Sequence, residues 1–590
     1  MEKWMVAAKK ADFDRWAQEY KISPVLARII RNRDIVEDEQ INLFLNGGLK
    51  DCHSPWLLQD MDRAIDILCS AMEKGIYIRV IGDYDVDGIC SAYILTKGLS
   101  ECGARVDTAI PHRIKDGYGL NDALIEEARE DGVGLILTCD NGIAAAEQVA
   151  LAKSYGIQVV VTDHHEVPYQ ITGEERVEIL PAADAVVDPK RADCSYPFKS
   201  ICGGMVAYKL IQALTEKLSY EKKDWLEKYL LPFAAMATVC DVMELKDENR
   251  IIVREGLKCF ATTENYGLQA LMEVNCLEKE AITGYHMGFV MGPCLNATGR
   301  LDSAVRALEL LQSSSKQTAM KAARELKELN DSRKNLTLDG VKLAREQIEE
   351  QRLYEQDIMV VYLPQVHESL AGIIAGRIRE QYYHPVFVLT DGDEGVKGSG
   401  RSIDSYHMYD SMVEVKELFT KFGGHKLAAG LSLPPENVAK FRALLNEKSK
   451  LKAEDFVPVV HIDVPMPLSY ASMSLAKEIE KLEPYGVGNP KPLFAQKDVI
   501  FAGGRRIGAN KNFGKFTVLV ERDGYPRRED LMYFGDLEAF LSTVDEKHGP
   551  GSADAMMNGR KQITMSVVYQ LGINVFRGQE SLQYIMTNYS

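Results

Sequence analysis

The sequence predicts a multidomain α/β protein with a parallel sheet, a smaller α/β domain and a C-terminal β-barrel. Three observations carry this prediction. Strands, loops and helices alternate between Gly75 and Pro189, which indicates a parallel sheet covered by helices on both faces. A second strand–helix pattern follows between Ile358 and Leu389. The last stretch, Asp455–Ser590, has short alternating strands and Gly/Asn turns, as expected of a barrel.

Residues 1–46 predict a small helical leader, in which Trp4 and Trp16 are expected to anchor the packing. The start of the chain mixes Lys, Glu and Asp without an apolar run, so no signal peptide is expected. No later segment approaches the roughly 20 uninterrupted apolar residues of a membrane span. The sequence therefore predicts no membrane segment.

The composition is that of an ordinary globular protein, with 46% hydrophobic and 26% charged residues. The net charge of -16 means that a nucleic-acid-binding surface would have to concentrate its cations locally. The eleven cysteines include no Cys-x-x-Cys pair, which argues against a zinc ribbon or a disulfide framework. We therefore expect a cytoplasmic protein with reduced thiols.

Strands of the first sheet end in acidic or imidazole side chains. The predicted strands are Ile76–Ile81, Gly134–Leu137, Ile157–Val161 and Ala185–Val187. They are followed by Asp85 and Asp87, by Asp140, by His164 and His165, and by Asp188. Another carboxylate, Asp241, follows the apolar run Phe233–Val239. Because parallel strands joined by right-handed crossovers end at one edge of the sheet, we expect the strand-end side chains to lie together.

Converging carboxylates predict a metal centre. An Asp after a strand is most often a helix N-cap, and this interpretation stays open for Asp83, Asp163 and Asp188. It does not account for several carboxylates that converge with a histidine pair, since packed carboxylates repel unless cations lie between them. Carboxylate oxygens with one imidazole suit two Mn²⁺ or Mg²⁺ ions. The expected ligands are Asp85, Asp87, Asp140, His164 and Asp241. The neighbouring Cys90, Cys139 and Cys240 are expected to be small buried residues rather than ligands.

Four motifs resemble those of the DHH phosphoesterase superfamily. They are Asp83-Tyr84-Asp85-Val86-Asp87-Gly88, Thr138-Cys139-Asp140-Asn141-Gly142, Asp163-His164-His165 and Val239-Cys240-Asp241. Later motifs resemble the RecJ single-strand-specific exonucleases. Gly398–Ser402 and Phe422–Gly430 are similar to the accessory substrate domain of that family, and Pro484–Pro490 is similar to the entry of its oligonucleotide-binding barrel.

Two positions depart from the family pattern. The segment Leu295–Arg300 fits a family motif, but Cys294 stands where an Arg is usual. Ile81 holds a place that some relatives fill with a metal-binding His. One of the two metal ions would then be weakly held, or a water molecule would complete its coordination.

The resemblance implies a single-stranded-DNA-specific 5′-to-3′ exonuclease of DNA repair and recombination, which releases 5′-mononucleotides by two-metal hydrolysis. It implies a monomer that acts on single-stranded DNA, with a single-strand-binding protein and a helicase as further partners. Asp85 and Asp140 would hold one ion, and Asp87, Asp140, His164 and Asp241 the other. Asp140 would bridge the ions and His165 would face the scissile phosphate. Asn296 and Arg300 would bind substrate phosphate.

We expect five segments along the chain. They are the leader over 1–46, a DHH catalytic domain over 47–262, a helical connector over 263–352, a DHHA1-type substrate-binding domain over 353–450 and an oligonucleotide-binding barrel over 451–590. The connector contains Lys316–Arg352, which is rich in Ala, Glu, Lys and Leu and predicts a long helix. We expect this charged helix to be only a spacer.

Two further groups of residues are candidates for contact with the strand. Ser399 and Arg401 offer a hydroxyl and a planar guanidinium, and Gly423-Gly424-His425 offers backbone N–H groups, so together they favour phosphate binding. A turn would explain Gly-Gly-His equally well. The second group combines cations with an aromatic ring. Single-strand binding uses this combination, with cations on the phosphates and rings stacked on bases, and a solvated hairpin is the alternative interpretation. That group is Arg505, Arg506, Lys511, Phe513 and Lys515, and Phe516 is expected to point into the barrel core.

Two other classes of function stay open. One is a phosphodiesterase of the same superfamily that acts on short oligonucleotides or signalling dinucleotides, although such enzymes generally lack a C-terminal barrel. The other is a non-catalytic replication scaffold, in which the carboxylates would be expected to have decayed. Here every one of the expected carboxylates is intact.

Overall fold

The computed structural model describes residues 2–113, 119–172, 175–392, 395–522 and 524–590. These residues form two compact units. The larger unit is built mainly from Ser54–Asp241 and Gly256–Pro458, and the smaller unit from Lys3–His53, Val242–Glu255 and Val459–Ser590. The predicted fold class is confirmed, since a parallel-sheet domain, a smaller α/β domain, a long helix and a C-terminal barrel are all present.

The leader is a short strand followed by three helices. These elements are β1 (Lys3–Val6), α1 (Phe13–Tyr20), α2 (Pro24–Asn32) and α3 (Asp38–Asn46). The two tryptophans have different surroundings. Trp16 on α1 is only 3% exposed, as its predicted anchoring role requires, whereas Trp4 lies on β1 and is half-buried.

The first α/β domain contains, within the described ranges, a five-stranded parallel sheet in the order β3-β2-β4-β5-β8. Its elements are α4 (Met61–Glu73), β2 (Ile78–Ile81), α5 (Val86–Glu101), β3 (Val106–Ala109), α6 (Asp122–Glu130), β4 (Leu135–Cys139), α7 (Ala146–Ser154), β5 (Gln158–Thr162), the hairpin β6 (Tyr169–Thr172) and β7 (Glu175–Glu178), β8 (Ala185–Val187), α8 (Gly203–Lys217) and α9 (Lys223–Cys240). Helices α6 and α7 cover one face, and α5 and α8 contact the central strands from the other side. Strands β2 and β4 are therefore wholly buried, as their apolar sequences predict.

A helical region follows the first domain. It consists of α10 (Asp247–Phe260), α11 (Tyr266–Val274), a π-helical segment (His286–Met291), α12 (Gly292–Leu301), α13 (Val305–Leu311) and the long α14 (Lys316–Glu350). The long helix is present as predicted, but the expectation that it is only a spacer is wrong. A stripe of small and apolar residues, including Ala323 and Ile348, is buried along it, because α14 packs on α11, α12 and α13 and then on the second α/β domain.

The second α/β domain has a sheet in the order β12-β13-β11-β10-β9, in which only β9 and β10 pair in parallel. Its elements are β9 (Met359–Tyr362), α15 (Ala371–Tyr382), β10 (Val386–Gly392), β11 (Gly395–Arg401), α16 (Met408–Val413), β12 (Lys421–Gly424), β13 (Ala428–Leu433) and α17 (Val438–Glu447). Gly400 on β11 lies so close to Met408 and Phe387 that a Cβ there would clash. The alternate positions Ser399 and Arg401 consequently face the opposite side of the sheet, towards α15.

The C-terminal domain is a closed barrel. Its elements are β14 (Val459–Ile462), β15 (Val464–Pro465), α18 (Met473–Glu480), β16 (Phe494–Ile507), β17 (Phe513–Arg522), β18 (Tyr525–Tyr533), α19 (Leu537–His548), α20 (Ser552–Met557), β19 (Ile563–Phe576) and β20 (Gln579–Tyr589). The strand order β16-β17-β18-β20-β19 closes because β19 pairs back with β16, and β18 and β20 pair in parallel. Five strands with this connectivity form an OB-like barrel.

The leader belongs to the same compact unit as the barrel, which differs from the predicted division into separate segments at 1–46 and 451–590. Strand β1 pairs in parallel with β14, and Trp16 shares one hydrophobic core with barrel residues such as Phe501. Arg33 forms a buried ion pair with Asp463 at 2.6 Å. Segments far apart in sequence therefore complete a single core, which no local pattern in the leader indicates. The other predicted boundaries stay predictions.

None of the helices in the described ranges combines the length and the apolar character that crossing a membrane requires. All eleven cysteines are free thiols.

Candidate metal centre and substrate site

The loop between β2 and α5 supplies the first carboxylates of the site. Asp85 is the N-cap residue of α5, and its side chain accepts a backbone N–H from the first helical turn. Asp87 is 1% exposed and accepts hydrogen bonds from the N–H groups of Gly203 (2.8 Å) and Gly204 (2.7 Å) at the start of α8. A Cβ at Gly203 would lie 2.7 Å from the Cβ of Asp140, so glycine permits this close approach. Asp87 therefore fixes the N-terminus of α8 against the carboxylate cluster.

Asp140 and His164 meet at the carboxyl edge of the sheet, as predicted. Asp140 follows β4 and His164 follows β5, and His164 Nε2 lies 3.0 Å from Asp140 Oδ1. The same nitrogen lies 3.5 Å from Asp87 Oδ2 and 3.7 Å from Asp241 Oδ2. Asp140 has a φ of 62°, a left-handed conformation that costs a non-glycine residue about 1–3 kcal/mol and often marks a functional position. Three strand ends and the C-terminus of α9 thus converge on one imidazole.

Asp163 positions the second histidine of the pair. Its carboxylate accepts hydrogen bonds from Ile143 N at 2.9 Å and from the His165 ring at 2.7 Å. Asp163 is therefore not the N-cap of a following helix, the interpretation that the sequence left open. Burial opposes the charge on His165, but the hydrogen bond and the negative charges of Asp163, Asp241 and Asp87 raise the pKa of His165 to about 9. The His165 side chain remains 45% exposed, so it can reach a bound substrate.

The electrostatics of the cluster favour bound cations. Burial and the neighbouring charge of Asp85 raise the pKa of Asp83 to about 8, and burial with the charges of Asp87 and Asp85 raises the pKa of Asp241 to about 8. Burial, Asp87 and Asp85 also raise the pKa of Asp140. Two buried atoms, Asp241 Oδ2 and His164 Nδ1, have no hydrogen-bond partner among the described residues. A buried carboxylate oxygen without a hydrogen bond, such as Asp241 Oδ2, beside mutually repelling carboxylates is what a divalent ion would satisfy.

Three groups of side chains bring their ligand atoms close enough to share an ion. They are Asp140, His164 and His165; Asp87, His164 and Asp241; and Asp83, Asp85 and Asp140. All five expected ligands are included. Asp83 was missed as a possible ligand because an N-cap explains an Asp in that place, yet Asp85 is the cap. The Asp83-Tyr84-Asp85-Val86-Asp87 alternation was the available signal, because alternate acids in one short loop can converge.

Cysteines and the two departures from the family pattern lie outside these groups in the described part of the chain. Cys90 and Cys139 are fully buried, in keeping with their predicted role, and Cys240 donates to the carbonyl of Met287. Ile81 joins the apolar core of the sheet. Cys294 is buried between α11 and α14, where its thiol contacts Asn275 and Asn330.

A cavity of about 470 Å³ adjoins the metal centre, and we call it the cation cavity. It is lined by Tyr84, Arg113, Arg300, Glu368, Ser369, Gly372, Ile373, Lys397, Gly398, Ser399, Arg401, Lys421, Gly430 and Leu431. Arg401 Nη1 donates to Ser399 Oγ at 3.3 Å and to Gly400 O at 2.7 Å. A Cβ at Gly372 would lie 2.8 Å from Ser399 Oγ, so the first turn of α15 opens directly onto this pair. A helix N-terminus beside two guanidinium groups suits an anion.

The charges in the cation cavity are incompletely balanced. Burial and the nearby charges of Arg113, Arg333 and Arg401 lower the pKa of Arg300 to about 10, while burial and Arg379 lower the pKa of Arg401. Arg300 donates to the backbone carbonyl of Ser369 at 2.8 Å, and no carboxylate in the described ranges forms an ion pair with Arg300 or Arg401. A bound phosphate would therefore relieve repulsion between these half-buried cations.

Other predicted phosphate ligands lie near this cavity but do not line it in the described structure. Asn296 is half-buried on α12, the helix that carries Arg300. Gly423, Gly424 and His425 are exposed in the edge hairpin of β12 and β13, where Gly424 has a φ of 150°. The His425 N–H donates to Ala428 O at 2.8 Å, as in a turn. Phosphate binding by these residues stays a prediction.

The predicted nucleic-acid patch lies on the β16–β17 hairpin of the barrel. Lys515 forms an ion pair with Asp530 at 2.6 Å, and Arg506 forms one with Glu538. Arg505 and Lys511 are exposed, and Phe513 packs edge-on against Phe534 with ring centroids 5.5 Å apart. Phe516 is fully buried in the barrel core, which confirms its predicted orientation.

Comparison with known proteins agrees with this organisation. The N-terminal domain model of the DHH family matches residues 77–238, the DHHA1 domain model matches 355–450, and the RecJ OB domain model matches 462–588. The chain is 32% identical over 581 residues to the single-stranded-DNA-specific exonuclease RecJ of Haemophilus influenzae, a match that covers 95% of both chains. The chain belongs to the RecJ family. It is also 34% identical over 508 residues to RecJ of Bacillus subtilis, but that match covers 85% of this chain and 62% of the relative.

Solved structures of RecJ share the fold. The crystal structure of RecJ from Thermus thermophilus in complex with Mn²⁺ superposes with a TM-score of 0.79 and 25% identity, covering 100% of this chain and 79% of the other. A crystal structure of exonuclease RecJ bound to manganese gives a TM-score of 0.57 and 30% identity, covering 68% and 96% of the two chains. The family predicted from the motifs is confirmed, and RecJ relatives were solved with the type of ion that these carboxylates suit.

Asp163 lends itself to a test of how the site is organised. Replacing Asp163 with Ala should lower the rate of single-strand cleavage, the reaction of the RecJ family, by about ten- to a hundredfold, the usual effect of losing a group that orients a metal-site residue. The reason is that His165 and the backbone at Ile143 lose their common acceptor. The cleavage rate at saturating Mn²⁺ measures the effect, with the exposed Asp122→Asn on α6 as the control. An unchanged rate would show that Asp163 does not support the site.

Proposed function

We propose that this chain is a single-stranded-DNA-specific exonuclease that digests from the 5′ end and releases 5′-mononucleotides. The observation that carries the proposal is the position of the cation cavity beside the metal centre. Tyr84 lines the cavity and lies between Asp83 and Asp85 in sequence, so the two sites share one loop. A terminal phosphate in the cavity would place the first phosphodiester within reach of the carboxylate cluster.

The residues of the metal centre would have two roles: the carboxylates and His164 would bind the ions, and His165 would contact the substrate. Asp85 and Asp140 would hold one Mn²⁺ or Mg²⁺ ion, and Asp87, Asp140, His164 and Asp241 the other. Such ions, when bound, activate water and stabilise charge on the phosphoryl oxygens. His165, held by Asp163 and open to solvent, is placed to hydrogen-bond an oxygen of the scissile phosphate.

The cation cavity would select the end of the strand. A terminal phosphate carries more charge than an internal diester, so half-buried guanidinium groups would bind it more strongly. Arg401, Ser399 and the first turn of α15 offer donors of three kinds to such a group. The barrel would bind a further part of a long strand, which favours long strands over the dinucleotides of the alternative phosphodiesterase.

Digestion of end-labelled DNA tests this function. Single and double strands, labelled at either end, would be incubated with Mn²⁺, Mg²⁺ or a chelator. We expect labelled mononucleotide to appear first from 5′-labelled single strands, and only with a metal ion. Release from the 3′ end first would overturn the polarity, and equal digestion of duplexes would overturn the strand specificity. No cleavage with any ion would favour the scaffold alternative.

The proposal extends to the cellular setting. The eleven free thiols suit the cytoplasm, where glutathione keeps cysteines reduced. We place the chain there as a monomer in DNA repair and recombination. A helicase would supply single strands to it, and a single-strand-binding protein would keep those strands open. Size-exclusion chromatography with light scattering tests the monomer, and pull-down with each purified partner tests the assembly.

Arg505 and Lys511 should hold the backbone of long strands. Unlike Arg506 and Lys515, they take part in no ion pair within the described ranges, so they are more available to phosphates. Replacing both with Ala should flatten the salt dependence of binding by about 1.4 in log–log slope, because each lost phosphate contact on a single strand is worth about 0.7.

The slope is read from binding of a long single strand at several salt concentrations. Lys497→Ala, an exposed cation elsewhere on β16, is the matched control and should leave the slope unchanged. Cleavage of a very short oligonucleotide should be nearly spared in the double variant. An equal loss on long and short strands would show that the hairpin acts through the structure of the barrel.

A further inference from the structure

Two exposed aromatic rings stack on each other in the π-helical segment that precedes α12. Tyr285 is 64% exposed and Phe289 is 69% exposed. Their ring centroids lie 5.2 Å apart with planes 24° from parallel. Single exposed apolar residues are common on protein surfaces, but a preformed stack with its faces open to solvent is a ready surface for another flat ring. π-helical turns are rare and occur often at functional sites.

This pair lies beside the metal centre. Met287 and Met291 of the same segment are fully buried, which fixes the segment to the domain. The carbonyl of Met287 accepts a hydrogen bond from Cys240 Sγ at 3.6 Å, and a Cβ at Gly292 would lie 2.6 Å from the same sulfur. Cys240 directly precedes the expected ligand Asp241. The segment that carries the aromatic pair and the residue next to Asp241 therefore meet in one contact, between Met287 and Cys240.

The segment and α12 form one rod that passes the metal centre. Gly292 abuts Cys240 at one end, and Gly299 abuts the backbone carbonyl of Tyr84 at the other, where a Cβ would lie 2.6 Å from that oxygen. Arg300 then enters the cation cavity. Phe289 and Arg300 are eleven positions apart, which corresponds to about 16 Å at a helical rise of 1.5 Å per residue. The rings and the cavity residue Arg300 thus lie at opposite ends of this rod, with the contacts to Cys240 and Tyr84 between them.

We propose that Tyr285 and Phe289 form a stacking platform for bases of the DNA strand just beyond the scissile bond, on its 3′ side. The inference rests on the proposed function, in which the terminal phosphate occupies the cation cavity. A strand that starts in the cavity and crosses the metal centre would then continue along this rod towards the rings. Every base has a flat π face, so aromatic stacking holds a strand without regard to sequence. The platform would keep the scissile phosphodiester in place through successive rounds of cleavage.

Abasic substrates test the platform. Single strands with a 5′-phosphate and one abasic position, moved from the second to the fifth nucleotide, are compared with the intact strand for KM and kcat at saturating Mn²⁺. In the wild-type protein, we expect one or two positions to raise KM by about fivefold to a hundredfold, the range that base stacking on an aromatic side chain supplies, with kcat nearly constant. The double variant Tyr285→Ala/Phe289→Ala should already have the raised KM for the intact strand, and an abasic position should not raise its KM further.

Two single variants separate stacking from apolar packing. Phe289→Trp keeps an aromatic face and should behave like wild type, whereas Phe289→Leu keeps apolar area without a π face and should behave like the alanine variant. Thermal unfolding checks that each variant is folded, and Phe289→Leu serves alone if the double variant is not. If abasic positions raise KM equally in wild type and variants, or if Phe289→Leu matches wild type, the platform is wrong and the patch is a docking surface of another kind. A wild-type protein that cleaves no strand overturns the proposed function and the platform together.

Discussion

Replacing Asp140 with Ala should lower the rate of single-strand cleavage by at least about a thousandfold while the protein stays folded. Asp140 is the carboxylate that two of the three possible ion sites share, and its Oδ1 lies 3.0 Å from His164 Nε2. Losing Asp140 would weaken the binding of both ions. Metal ions supply several kcal/mol of transition-state stabilisation, and about 4 kcal/mol corresponds to a thousandfold in rate.

The metal-free variant should be at least as stable as the wild type. Burial and the charges of Asp87 and Asp85 raise the pKa of Asp140, which shows that its ionised form is unfavourable without cations. Removing one acid from the cluster relieves that repulsion. Asp140→Asn is the companion variant, because Asn tolerates the left-handed backbone at this position better than Ala does.

Both variants would be assayed for cleavage across Mn²⁺ concentrations and for thermal unfolding without metal. The exposed carboxylate Asp122, changed to Asn, is the control for loss of one negative charge in the same domain. Substantial activity of either Asp140 variant at saturating Mn²⁺ would contradict the assignment of two ions that share this ligand.

The fold class and most of the metal centre follow from local patterns in the sequence. Apolar β-branched runs such as Val159–Val161 favour buried strands, and parallel strands end at one edge, so Asp140 and His164 were expected to converge. Asp163 and Asp83 were harder, because a capping Asp and a site Asp follow a strand in the same way. Only the three-dimensional arrangement distinguishes them, since it shows Asp163 bound to His165 and shows Asp85 as the cap of α5.

Long-range packing was beyond prediction for a different reason. Arg33 and Asp463 are 430 residues apart in sequence, and neither has a local pattern that specifies the other. The same holds for the ion pairs that occupy Arg506 and Lys515, because a basic sequence does not reveal which cations are already neutralised. The stack of Tyr285 and Phe289 depends on a π-helical turn, which apolar periodicity does not predict.

Replacing Ser399 and Arg401 together with Ala should lower the efficiency of cleavage of 5′-phosphorylated strands by about thirtyfold to two-thousandfold. Arg401 donates to Ser399 in the cation cavity, so the two side chains act as one donor group. A lost hydrogen bond to a charged group costs about 1.5–3 kcal/mol and a neutral one about 0.5–1.5 kcal/mol. The loss should be in KM, because in the proposed function the cavity would bind the end of the strand without touching the reacting bond.

The comparison that decides this prediction is between two kinds of strand end. A 5′-hydroxyl strand has no terminal phosphate for the wild-type protein to bind. On such strands, the variant and the wild type should therefore have similar values of kcat/KM. Arg377→Ala is the matched control, because it removes a guanidinium from α15 that is 67% exposed and lies outside the cavity lining. Cleavage would be measured below KM for both ends. If the double variant loses as much on hydroxyl ends as on phosphate ends, Ser399 and Arg401 contact the backbone in general, and another part of the chain must recognise the end.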